Sequence, residues 1–297
     1  MAIYYHRSYS KARGTCNFGD DINPLLLSKL FDKSIIESEE VCIIGIGTIL
    51  NDRELARVDC YKRKIVFSSG VGYGSLDQSR FDESWDFACV RGPQSAKALG
   101  LPAESAIADA GVLIPDVLGM PSEKNKLQQG VTFIPHAESD IRSGEGLRAI
   151  CLSLGINYLS PRIDAKEFVN QVRMSSKVIT EAMHGAIVSD AVRVPWVPVK
   201  FLVHEPFKWK DWCHSVELPY RVENLGAEFW DDKGGEFSGL KKAWQLYKRT
   251  RVKRCLSKIN VSATPILSAP SVLKARKESL WGVVRLINEH YAARLTG

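Results

Sequence analysis

Residues 176–199 read SKVITEAMHGAIVSDAVRVPWVPV, and the way this stretch folds decides how the chain is built. Val178, Ile179 and Thr180 form a short β-branched run, which predicts a buried strand. A helix of small residues over Ala182–Val192 follows. The Val194–Val199 run, with Pro195 and Pro198, predicts an edge-type strand or an extended segment. His184 then falls in the first turn of the helix. Backbone N–H groups are unpaired there and the macrodipole is positive, so the turn can receive an anion and the histidine can reach it. Gly185, Ala186 and Ser189 keep the helix slim enough to lie against a sheet or a ligand. The same pattern equally fits a histidine satisfied within a packed core.

Outward from this unit, β and α patterns alternate along the chain. Ala2–His6 predicts a first strand. In NFGDDINPLLLSKLF, Asn23 is a good N-cap and Pro24 a good first helical residue, so the helix is expected to begin at Pro24. Gly19 lets the backbone approach a ligand, while Asn17, Asp20 and Asp21 stand after the strand's carboxyl end, where open α/β sheets bind ligands. A turn and a cap is the plainer reading. Val41–Ile46 and Lys64–Ser68 predict buried strands running into glycine loops, neither of which completes a dinucleotide fingerprint. Phe87–Val90 leads to Arg91 at the start of a helix begun by Pro93, a place for an anion clamp or for a solvated arginine. The polar segment Ser122–Gly130 predicts a hinge. Beyond it, His136 and Arg162 follow predicted strands, a helix is expected over about Glu145–Leu154, and Asp164 caps another over Ala165–Met174. Phe207, Trp209 and Trp212 recur at near-helical spacing, which suits packing or a sugar-stacking platform.

At 297 residues the chain can bury two cores, and 45% hydrophobic with 25% charged residues is globular composition. The start lacks a basic-plus-apolar signal and no apolar run nears 18 residues, so neither secretion nor a membrane span is expected. Seven scattered cysteines without a CxxC pair predict reduced thiols in a cytoplasm, and no metal-ligand spacing is present. The net charge of +6 conceals an asymmetry: residues 237–297 hold 13 Lys and Arg against two acids, a local +11 beside a body of −5. Such a tail suits an anionic surface. Within it, the stripe Leu280, Val284, Ile287, Tyr291 and Leu295 favours packing back on the first domain, and the Leu240–Lys258 face favours contact with an anionic membrane.

NFGDD, the Arg91 helix start, TEAMHGAI followed by VPWVPV, and the KWKDW block together resemble, in order, the motifs of the polysaccharide pyruvyltransferase family, in its branch that makes bacterial exopolysaccharide ketals. The resemblance covers most of residues 1 to about 215. It implies an α/β fold of two Rossmann-like domains with a cleft between them, like the two-domain (GT-B-like) glycosyltransferases. The expected parts are an acceptor-side domain over residues 1–122, a donor-side domain over 123–236 and basic C-terminal helices over 237–297. The implied reaction moves pyruvate from phosphoenolpyruvate, a co-substrate, to a sugar as a cyclic ketal, with no cofactor and no metal. His184, with Asp20 or Asp21, is then the acid–base machinery. Arg91, His136, Arg162, Glu181, Gly185 and Lys200 are assigned to the donor, and Asn17, Gly19 and Trp209 to the acceptor. Many family members carry an arginine two residues before the histidine, where this chain has Ala182, so the donor's charge must be met elsewhere. The saccharide acceptor is expected to be lipid-linked, at the inner face of the cytoplasmic membrane, and no nucleic acid is expected as partner. A nucleotide-sugar glycosyltransferase of the same architecture, or a non-catalytic envelope-assembly protein, are the competing classes.

Overall fold

A computed structural model of the chain describes residues 2–6, 17–120, 130–226, 230–232 and 239–292. In its first half, β1 (Ile3–Tyr4), β2 (Val41–Ile44), β3 (Arg63–Ser69) and β4 (Trp85–Val90) lie side by side in chain order, all parallel. Its helices are α1 (Phe18–Leu30), α2 (Lys33–Ile36), α3 (Asp52–Leu55), α4 (Pro93–Ala98) and α5 (Ile114–Val117). The second half runs β5 (Val131–Ile134), α6 (Ala137–Ser153), β6 (Asn157–Tyr158), α7 (Ala165–Arg173), β7 (Lys177–Thr180), α8 (Met183–Ala191), β8 (Trp196–Lys200), α9 (Pro206–Ser215) and β9 (Glu223–Asn224). These strands are also parallel, in the order β6-β5-β7-β8-β9. The direction of winding therefore reverses between β5 and β7, and the carboxyl ends of the two strands at such a reversal open a crevice. His136 follows β5 and Glu181 follows β7. Two long helices close the chain, α10 (Gly239–Ser262) and α11 (Pro270–Ile287). The expected hinge falls largely on residues 121–129 and the expected tail boundary on 233–238, both outside the described residues.

The opening stretch folds as read: β7 pairs with β8 from Val178↔Trp196 to Thr180↔Pro198, with α8 between them. β8 is not an edge. Trp196 bridges Ile266, and β9 pairs only with Val199 and Lys200. Pro198 thus takes a place where β9 asks for no N–H.

Two helix starts differ from expectation. α1 begins at Phe18, capped by Asn17, whose Oδ1 accepts from the Gly19 N–H. Pro24 lies inside the helix, where it cannot bond the Asp20 carbonyl. The Asn23 side chain substitutes, its Nδ2 donating to Asp20 O at 3.2 Å and to Ile46 O at 3.1 Å. Asn23 is therefore a repair within the helix, not its cap. Likewise α6 starts directly after β5, with His136 as its N-cap. Gly146 within it serves packing: a Cβ there would lie 2.6 Å from Trp230 Nε1.

The largest apolar cluster draws on both sheets, with Phe18, Ile22 and Leu26 of α1 beside Phe168 of α7 and Ile187 of α8. Phe18 and Phe168 stack at 3.5 Å. α11 returns to the first half and buries Leu280, Val284 and Ile287, and Tyr291 just beyond it is buried as well. Asn288 Nδ2 donates to Leu30 O, and Tyr291 Oη to Asp86. The expected stripe is thus core, with Leu295 outside the described residues.

Candidate active site

Between the halves lies a cleft of about 540 Å³. The amino termini of α1, α6 and α8 converge on it through Asn17, Phe18 and Asp20, through His136 and Ala137, and through Ala182, Met183 and His184. Two of these ends carry side-chain caps: Asn17 for α1, and His136 for α6, whose Nδ1 accepts from the Glu138 N–H at 3.2 Å. α8 has Ala182 at its N-cap and no side-chain cap. Its first-turn N–H groups are left for something else to satisfy, and an anion at that end is favoured by the dipole.

His184 stands in that turn, 15% exposed, edge-on to Phe18. Its Nε2 lies 3.7 Å from Oδ2 of Asp109, which is fully buried; the other oxygen of Asp109 accepts from the Gly111 N–H at 2.9 Å. Neither Nε2 nor Oδ2 has a hydrogen-bond partner among the described residues. Two unpartnered buried atoms of opposite preference facing each other form a pair that closes when the imidazole takes a proton. Gly19 supplies the floor of this arrangement. A Cβ there would sit 2.5 Å from His184 Nδ1. Gly19→Ala is expected to push the ring out of place and lower turnover by about a hundredfold, the scale of a 1 Å misplacement. Alanine is the better helix former by about 1 kcal/mol, so the melting temperature should hold. Wild-type turnover in this variant would remove the positioning role of Gly19.

Burial raises the Asp20 carboxyl above its usual range, against the pull of His6, His184 and the Asn17 Nδ2 hydrogen bond at 2.9 Å. Burial also lowers His136 to about 3, helped by the positive Lys208 and His184. His136 is therefore neutral, and because Nδ1 accepts from Glu138, its proton sits on Nε2. Lys208 lies on the far wall. It is buried at 7% exposure, its Nζ donates to Tyr73 Oη at 2.9 Å and sits 5.4 Å over the Tyr73 ring. No carboxylate among the described residues pairs with it. The remaining wall is polar: Asn51, Arg53, Ser75, and Glu54 bonded by Tyr4 Oη and His6 Nδ1. Burial works to raise Glu54, and those two hydrogen bonds outweigh it and hold the carboxyl below its usual range. Tyr73 is 42% exposed, an aromatic face open to the cleft.

The structure thus brings together Asn17, Gly19, Asp20, His136 and His184. Asp21 shares the first turn of α1 but does not line the cleft. Several expected ligand residues are engaged elsewhere. Arg91 is sealed off: its Nε donates to Asp211 at 3.0 Å, its guanidinium to Thr48 Oγ1 at 2.8 Å and to Val71 O at 3.1 Å, with no exposed surface. Asp211 also caps α4, accepting from Gln94 and Ser95 N–H groups. Arg91 is a bolt between β4 and α9, not an anion clamp. Glu181 is buried with both oxygens taken, by the His136 N–H on one side and those of Leu202 and Val203 on the other; burial raises its carboxyl and the backbone donors oppose this. It sets the turn that carries His136. Gly185 packs α8 on the sheet, where a Cβ would meet Thr180 Oγ1 at 2.6 Å. Arg162 pairs with Asp140 at 3.2 Å. Lys200 is exposed where β8 meets β9, away from the cleft lining. Trp209 is fully buried against Trp196, so its ring cannot stack on a sugar.

Two residues of the cleft, Lys208 and Tyr73, and the buried Asp109 behind His184 escaped the sequence reading. Lys208 sits inside the KWKDW block, where the aromatics drew attention. Asp109 is a single charge inside the apolar run AIADAGVLI, and such a charge needs a buried partner. Tyr73 lies in a glycine loop without periodicity. No group of three or more His, Cys, Asp or Glu side chains among the described residues is arranged to hold a metal ion.

Set beside known proteins, residues 3–200 match the model of a family described as polysaccharide pyruvyl transferase. The chain is 35% identical over 228 residues to the succinoglycan biosynthesis protein ExoV of Rhizobium meliloti (strain 1021), covering 72% of this chain and 69% of that protein. No solved structure matches the chain.

Proposed function

The chain belongs to the polysaccharide pyruvyl transferase family and is an enzyme of that kind, and from that premise we propose that it moves pyruvate from phosphoenolpyruvate to one sugar of an exopolysaccharide precursor, forming a cyclic ketal. The observation that carries the donor reading is Lys208, a buried cation with which no carboxylate among the described residues pairs, in the cleft that also holds the uncapped end of α8. An isolated buried charge is costly to keep unless a ligand of opposite sign completes it. Phosphoenolpyruvate offers a phosphate and a carboxylate, which Lys208, the first-turn N–H groups of α8 and the Nε2–H of His136 can share.

His184 is the proton donor to the methylene carbon, with Asp109 holding the imidazolium at Nε2 and leaving Nδ1 to exchange with substrate. Protonation makes C2 electrophilic. A sugar hydroxyl attacks C2 and passes its proton to Asp20, whose affinity for protons burial raises. The C2–O bond to phosphate breaks, and a second hydroxyl of the same sugar closes the ring, its proton leaving with phosphate. Tyr73, in place of Trp209, is the ring on which the acceptor rests. In this reading the two parallel-sheet halves act as the domains of a GT-B-like enzyme over residues 1–122 and 123–236, on the cytoplasmic side, with a lipid-linked acceptor.

Donor consumption tests the reading. Incubation with phosphoenolpyruvate and acceptor glycan is expected to release inorganic phosphate and to add an acid-labile pyruvyl group to the glycan. Release of nucleoside diphosphate from a nucleotide sugar, with phosphoenolpyruvate untouched, would overturn it.

A further inference from the structure

α10 carries eight Lys and Arg and no acid along Gly239–Ser262. Its carboxyl half packs on the second sheet through Val252, Leu256 and Ile259. Its amino half is held to the body by Arg249, which donates to Asp232 at 2.6 Å and lies 5.6 Å over the Trp230 ring, while no described side chain from Leu240 to Arg251 is buried. Leu240 is 87% exposed, Leu246 66%, Trp244 56% and Tyr247 48%. The two rings stack at 5.2 Å, with Lys248 5.7 Å over Trp244 and Arg251 5.8 Å over Tyr247. Read by helical spacing, Leu240, Trp244, Tyr247, Arg251, Arg254 and Lys258 lie on one face, apolar and aromatic at its start and cationic onward. An isolated aqueous helix gains nothing by presenting Trp and Tyr this way, and large apolar exposure marks a contact surface.

We infer that this face of α10 docks on an anionic lipid surface, with Leu240, Trp244 and Tyr247 entering the interface and Arg251, Arg254 and Lys258 lying against headgroup phosphates. The chemistry selects this occupant. Trp and Tyr place an apolar ring and a polar edge at a lipid–water boundary, and flanking Lys and Arg add attraction to anionic headgroups. A second copy would set cations against cations. No helix among the described residues is long and apolar enough to cross a membrane, so the contact is peripheral. α11, though also rich in Lys and Arg, has its apolar stripe buried on the first half and takes no part.

The test is co-sedimentation of the full chain with vesicles of phosphatidylglycerol and phosphatidylcholine, against phosphatidylcholine alone. Binding to the anionic vesicles is expected at low salt and its loss at high salt. Each cation near an anionic leaflet multiplies partitioning about fivefold, so the Arg251→Glu, Arg254→Glu, Lys258→Glu triple variant should bind at least about a hundredfold less. Trp244→Ala with Tyr247→Ala should weaken binding severalfold even at low salt. Their thermal unfolding should match the wild type, since all five side chains are exposed. Equal binding to neutral vesicles, a triple variant that binds like the wild type, or absence of binding at low salt would each overturn the inference. So would retention on polyglutamate beads by a chain that ignores vesicles, which would assign the face to an acidic protein.

Discussion

Replacing His184 by alanine is expected to lower turnover by about two to four powers of ten, the range for loss of a positioned acid–base group. The KM for phosphoenolpyruvate should change little, because the donor's anions are held by Lys208 and the end of α8, not by the imidazole. The fold should survive: the side chain is 15% exposed and its Nε2 makes no hydrogen bond in the resting arrangement. Asp109→Asn separates positioning from bulk. An amide fills the same space but cannot stabilise the imidazolium, so turnover should fall by a smaller factor and the pH–rate profile should shift. A structural role for Asp109 would lower the melting temperature and leave that profile in place. Steady-state rates across pH, with thermal unfolding of both variants, decide the matter. A folded His184→Ala variant turning over near the wild-type rate would remove the histidine from the chemistry.

How far the sequence carried this site depends on the kind of signal each residue leaves. TEAMHGAI announced its own structure, because a β-branched run, small residues and a following β-branched run leave few ways to fold. His184 fell where expected for that reason. NFGDD was read as standing at a ligand site and its Asn17, Phe18 and Asp20 line the cleft, yet its helix began earlier than the N-cap rules placed it. The cause is local: Asn23 Nδ2 bonds the carbonyl that Pro24 cannot, so the helix runs through a proline that would otherwise mark its start. Arg91 and Trp209 misled for a different reason. Each sits at a position suited to a ligand, and each is claimed by a partner distant in sequence, Asp211 across 120 residues and Trp196 across the β8–α9 turn. Tertiary partners of this kind leave no mark in local spacing. Lys208 shows the converse. Its neighbours predict a packed helix face, and only the surrounding fold reveals that no carboxylate among the described residues pairs with a cation among those aromatics.

Lys208→Met carries the second large effect, because methionine keeps much of the buried stem and removes only the charge. With a charge-assisted contact to a desolvated anion worth about 2–5 kcal/mol on truncation, the KM for phosphoenolpyruvate should rise by about thirtyfold to a few thousandfold. Turnover at saturating donor should fall far less. Stability should move the other way, since an uncompensated buried ammonium opposes folding in the absence of ligand and its removal relieves that term. Arg91→Met is the matched contrast. Here the cation already has its carboxylate, so deleting it strands Asp211 in the core and should cost about 3–5 kcal/mol of stability, with donor affinity in the surviving folded fraction nearly unchanged. The two substitutions remove the same charge, one after β4 in the first half and one on α9 in the second, and should shift melting temperature in opposite directions. Thermal unfolding without donor, beside initial rates over a range of phosphoenolpyruvate, reads both. If Lys208→Met lowered the melting temperature and left the KM as it was, Lys208 would be a structural cation like Arg91, and the donor's charge would have to be met by the helix ends alone.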